Sequence, residues 1–195
     1  MTTATADIRR TKSGRPKIAP IDREAILGRV HADITDALTD AHTTEAKLRI
    51  VADMSAEAQE VLDKHRGHML KLATSLTVHE GVRAVDRAIG VSREWYSRII
   101  ASALGDFPDR PPSWTTAVAD HARKAGVRFY RNAIHDLPPV AEKVVYSEYM
   151  KASLRGYRDN LIATLTSQGW TRVKIADIIG VKPCRVSQIV SQGRT

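Results

Sequence analysis

Apolar residues recur along this chain at spacings of three and four, and no segment alternates over two with turn residues at hairpin distance. That period predicts helices. Asp22 stands where a helix cap belongs, ahead of Leu27, Val30, Ile34, Leu38 and Ala41. Thr43-Thr44 interrupts the pattern, and a shorter helix is expected around Leu48 and Val51. Ser55 then precedes a long helix with Ala58, Val61, Leu62, Met69, Leu72, Ala73 and Leu76 on one face. Thr77-Val78-His79-Glu80 has the spacing of a capping box and predicts a fresh start, running through Val82, Val85 and Ile89 to Gly90. Ser113 caps a further stretch with Trp114, Val118, Ala122, Ala125, Phe129 and Ile134, which Pro138-Pro139 should end. From Val140 the pattern resumes as far as Leu165, with a break near Ser153.

The expectation is an all-α chain of two small helical domains, each with a helix-turn-helix. A length of 195 residues fits one compact domain or two small ones. Gly105 to Pro112 holds three prolines in eight residues and marks the linker. The expected divisions are a flexible arm at 1–20, a helical domain at 21–105, a linker at 106–112 and a second helical domain at 113–195.

Charge sharpens this outline. The chain carries 30 Lys and Arg against 22 acids, net +8. Residues 1–20 are net +4, residues 21–110 net −3 and residues 111–195 net +7. Clustered cations at both ends suit a phosphate-rich partner, because nucleic acid releases counterions when Lys and Arg bind it. One cysteine excludes an intrachain disulfide and a thiolate metal cluster. No apolar run approaches membrane-spanning length and the first 20 residues lack a signal-peptide core. A cytoplasmic protein with no membrane partner is expected.

The sharpest motif runs from Gly169 to Val190. Thr171 is placed to cap a short helix, Ala176 is small where two helices must cross closely, and Gly180 permits the positive φ of a sharp turn. Val181 plugs that turn, Lys182 takes the next cap position and Pro183 suits a first helical residue. Val186 and Ile189 then face back toward Ile175 and Ile179. This segment, with the helix before it from about Leu154, resembles the helix-turn-helix DNA-binding superfamily, in particular bacterial and phage regulators and the C-terminal promoter-reading region of sigma factors. The resemblance implies that the last helix enters the major groove of double-stranded DNA and presents Lys182, Pro183, Cys184, Arg185, Ser187, Gln188 and Ser191, with Thr171 and Arg172 on the preceding helix. Gln188 suits adenine, and Arg185 suits guanine or phosphate.

A degenerate second copy spans Val82 to Ile100, its turn glycine Gly90 standing 90 residues before Gly180. Asp86 falls where the other copy has Ala176. Two readings stay open: DNA contact through Arg93, Ser97 and Arg98, or a structural or dimerisation domain. In the arm, Gly14-Arg15-Pro16-Lys17 resembles part of an AT-hook, with Ser13 where an arginine is usual. Arg15 and Lys17 then enter an A·T-rich minor groove or contact phosphates nonspecifically.

Catalytic and metal constellations are unconvincing. Asp33, Asp36 and Asp40 share a helical face that reads as solvated, and His65 and His68 lack a matching pair. No phosphate-binding glycine loop or nucleophile elbow is present. The sequence therefore predicts a non-enzymatic, sequence-specific double-stranded-DNA-binding protein without cofactor or metal. It would be a nucleoid-associated, repressor-like transcriptional regulator acting alone or as a homodimer. The rivals are a DNA-organising or partition protein on clustered sites and a helical assembly or adaptor protein.

Overall fold

The computed structural model describes residues 20–89 and 116–192. Among them it is all-α: α1 (Arg23–Thr39), α2 (Thr44–Glu80), α3 (Val82–Ile89), α4 (Thr116–Lys124), α5 (Ala133–Ser167), α6 (Arg172–Ile179) and α7 (Pro183–Gln192). The expected contacts Arg15, Lys17, Arg93, Ser97 and Arg98 lie outside the described residues, as does the linker at 106–112.

The helices form two compact units, one from residues 22–64 and 143–195, the other built on residues 65–142. This differs from the sequential division expected at the prolines. The reason is visible in the core: Leu48 of α2 shares one buried cluster with Ile162 and Leu165 of α5, Ile175 and Ala176 of α6, and Val186 and Ile189 of α7. The C-terminal helices complete their apolar interior with a side chain from the first half of the chain.

In the first unit, Asp22 caps α1 by accepting the Ala25 N–H at 3.0 Å. Ile26, Val30 and Ile34 form the buried stripe of α1. Val30 and Ile34 join Val51 and Ala58 of α2 and Met150 and Leu154 of α5. Leu27, expected on that stripe, is 38% exposed; the stripe runs one residue earlier, through Ile26. Thr43 caps α2 through its hydroxyl, which accepts the Ala46 N–H at 3.1 Å. α2 then continues for 37 residues without a start at Ser55.

The second unit corrects two further expectations. Thr77 caps nothing: α2 runs on to Glu80, and the buried Thr77 hydroxyl donates to the Ala73 carbonyl at 2.8 Å. The break falls at Gly81, whose φ of 90° a side chain would oppose. Nor do Pro138 and Pro139 end a helix. They lie inside α5, near enough to its start that few intrahelical bonds are lost, and α5 continues past Ser153 unbroken. The helix that does stop is α4, which ends at Lys124 ahead of Gly126, the Val127 N–H returning to the Ala122 carbonyl at 3.1 Å. Phe129, expected inside a helix, is 54% exposed in the segment beyond.

The described elements repeat in order. A 37-residue helix precedes the 8-residue α3, and a 35-residue helix precedes the 8-residue α6, which begins 90 residues after α3. A glycine of positive φ separates each pair, Gly81 and Gly169.

Candidate nucleic-acid interface

The C-terminal turn is built as its sequence requires. Thr171 has extended backbone, and its hydroxyl accepts the Lys174 N–H at 3.3 Å, capping α6. At the other end Gly180 is left-handed, with φ 64° and ψ 35°. The Val181 N–H returns to the Ala176 carbonyl at 3.1 Å, the six-to-one bond that closes a helix on a glycine. Pro183 opens α7, where its missing N–H costs no intrahelical bond. Val186 and Ile189 are buried against Ile175 and Ala176, so one face of α7 is consumed by packing.

The opposite face is left to solvent. Lys182, Pro183, Cys184, Arg185, Gln188 and Ser191 are exposed on or beside α7, and Thr171 and Arg172 are exposed at the start of α6. Ser187 is half-buried and donates its hydroxyl to the Pro183 carbonyl at 3.2 Å, while Ser191 donates to the Gln188 carbonyl at 2.9 Å. Those two hydroxyls retain acceptor capacity rather than a free hydrogen. Arg185 and Gln188 meet: the guanidinium Nη1 donates to Gln188 Oε1 at 2.9 Å. Guanidinium only donates, so this bond uses neither the amide NH2 of Gln188 nor the remaining Arg185 hydrogens.

Sequence reasoning passed over Lys174 and Val173. Lys174 is exposed on α6, and its ammonium stands 6.0 Å from the centre of the Trp170 ring, which precedes the Thr171 cap. Val173 is 56% exposed beside it. With Glu45, Arg49, Asp177 and Ile178, Trp170 and Lys174 line an open cleft of about 370 Å³.

Charge in this unit is unevenly shared among its segments. Residues 22–64 carry five bases against ten acids, whereas residues 172–192 carry four bases against one acid. Asp33 and Asp36 lie on α1, and Asp40 is its C-cap. Among the described residues no cluster of three potential metal ligands occurs, and Asp33 accepts the Tyr146 hydroxyl. Burial, then the bond to Asp33 and its charge, push the Tyr146 phenol up to about 12, against the opposing pull of Arg29.

Comparison of the chain with family models, with curated proteins and with solved structures finds no match.

Proposed function

We propose that this chain binds double-stranded DNA sequence-specifically, reading the major groove through α7, as a repressor-like transcriptional regulator. One observation carries the reading. The two faces of α7 are chemically opposite: Val186 and Ile189 disappear into the core, and Lys182, Arg185 and Gln188 project into solvent with no packing role. That exposed face offers a guanidinium and an amide one helical turn apart, the two groups best suited to base edges. The tight turn at Gly180 and the shared packing of α6 and α7 support an arrangement in which the second helix enters a groove while the first crosses the backbone.

The repeated order of α2–α3 and α5–α6 favours two heads over one. The residues expected to read DNA differ in sequence between the two, Arg93, Ser97 and Arg98 against Lys182, Arg185 and Gln188. Two unlike heads on one chain call for an asymmetric site bound by a monomer, whereas one head working through a homodimer calls for a palindrome.

Selection of bound sequences from a random duplex pool tests this. An enriched sequence is expected, and Arg185→Ala and Gln188→Ala should each weaken binding to it by roughly 5- to 150-fold, the equivalent of about 1–3 kcal/mol per base contact. No enrichment, or equal affinity of wild type and double variant for the enriched site, would overturn the assignment.

A further inference from the structure

Seven consecutive residues of α2, Leu72 to Val78, are buried, so this stretch has no solvated back face. Three of them carry hydroxyls. Thr77 donates to the Ala73 carbonyl, and Ser75 Oγ accepts the Tyr130 N–H at 2.9 Å. Thr74, 4% exposed, has no hydrogen-bond partner among the described residues. A sealed hydroxyl without a partner costs about 1–3 kcal/mol and calls for a physical reason.

The segment at 127–130 crosses this part of the helix and is pinned there. Val127 packs with Val78 and Ala122, and the Arg123 guanidinium donates to the Val78 carbonyl at 2.7 Å. The Phe129 and His79 rings meet edge to face, with centres 4.9 Å apart. Beside these contacts lies an open depression of about 230 Å³ lined by Lys71, Thr74, Val127, Arg128 and Tyr130. Of those five, two are cations and none is acidic. The Arg128 guanidinium stands 5.3 Å from the centre of the Tyr130 ring, a contact that holds a long side chain over the depression.

We propose that this depression binds a phosphoryl oxyanion between Lys71 and Arg128, with the Thr74 hydroxyl completing its coordination. A tetrahedral anion accepts bonds from several directions, which suits cations carried on two different segments. A helical threonine has two side-chain wells, so binding turns the sealed hydroxyl toward the ligand and supplies the partner it lacks. At roughly 30 Å³ per water, the space exceeds a bare phosphate and admits part of a carrier. The site needs no DNA-reading role for α7. The phosphoryl group can belong to a free phosphorylated compound or to a nucleic-acid backbone.

Inorganic phosphate is the first probe, titrated into the full chain at constant ionic strength while Tm and the phosphorus NMR linewidth are followed. A saturable rise in Tm and broadening of the resonance are expected, because a ligand of the folded state stabilises it by mass action. Arg128→Ala and Lys71→Ala should lose most of that response. Thr74→Val should hold or raise Tm without phosphate, since it removes the orphan hydroxyl, yet respond more weakly to it. This pair of effects separates ligation from a folding defect. Absence of a saturable response, or an undiminished one in Arg128→Ala and Thr74→Val, would overturn the proposal. A DNA titration distinguishes the sources. A backbone phosphate at this site lowers the salt slope of Arg128→Ala by roughly 0.9, and a free ligand leaves the slope of that variant unchanged.

Discussion

Leu48→Ala is the most direct test of how the C-terminal helices are held. Leu48 is wholly buried in α2, and its cluster contains Ile162, Leu165, Ile175, Val186 and Ile189, all more than a hundred residues later in the chain. Truncation removes apolar contact from both helices of the turn and leaves a cavity among side chains that are themselves sealed. Such substitutions cost about 2–5 kcal/mol, a large share of the roughly 5–15 kcal/mol that holds a domain together. Trp170 packs against the same cluster and reports on it. Urea unfolding followed by Trp170 fluorescence, in a background with Trp95→Phe and Trp114→Phe, should show the transition at markedly lower denaturant. Leu27→Ala, on the exposed side of α1, should move it by less than about 0.5 kcal/mol. A fragment of residues 113–195 lacks Leu48 and should not unfold cooperatively. A cooperative, fully stable fragment together with a silent Leu48→Ala would refute the shared core and restore the sequential division.

Two smaller perturbations isolate single terms. Gly180→Ala should destabilise by about 1–2 kcal/mol from backbone strain alone, since its φ is 64° and a Cβ there would meet no atom within 4 Å. Gly28→Ala, inside α1 with equally open surroundings, should instead stabilise by roughly 0.5–1 kcal/mol, and equal signs for the two in urea titrations would contradict the turn geometry. Tyr146 supplies a pH signature. Its phenol is raised from 10.0 to about 12, so the stability linked to it is complete below pH 10 and lost as pH rises toward 12. Tyr146→Phe should flatten stability against pH in that window, and an unchanged alkaline profile would sink the assignment.

Helical class was legible because the three-and-four spacing survives wherever one face meets a core, as at Val30 and Ile34 or Val186 and Ile189. The turn at Gly180 was legible for a stronger reason: cap, small crossing residue, left-handed glycine and first-turn proline each have a separate physical cause, and all four coincide. Where the reading failed, one signal had two meanings. Thr77 with Glu80 fits a capping box, but a threonine inside a buried helix can donate back to the fourth carbonyl before it, and Ala73 accepts it. Pro138-Pro139 resembles a terminator, yet a proline pair near the start of a long helix removes few bonds. The division into units was illegible because α2 and α5 each give one stretch to each unit. A hydrophobic stripe says that a helix face is covered; it does not say by which segment.

Charge and contact divide the work at α7. Ten acids against five bases on residues 22–64 make that part of the unit a poor neighbour for phosphate, while the four bases against one acid on residues 172–192 make α6 and α7 a good one. On the proposed reading, such an imbalance would orient an approaching duplex without reading it, and salt would weaken the effect. On the proposed DNA-binding reading, discrimination would come from shorter-range groups, and Arg185 with Gln188 would supply them. Their bond at 2.9 Å is solvent-exposed and one helical turn apart, worth about 0.2–0.5 kcal/mol, against about 1–3 kcal/mol for a well-formed pair to a base. Under that proposal the exchange of partners would be favourable only where the base edge matches both side chains. On a mismatched step Arg185 would keep Gln188, and the basic residues alone would hold the duplex.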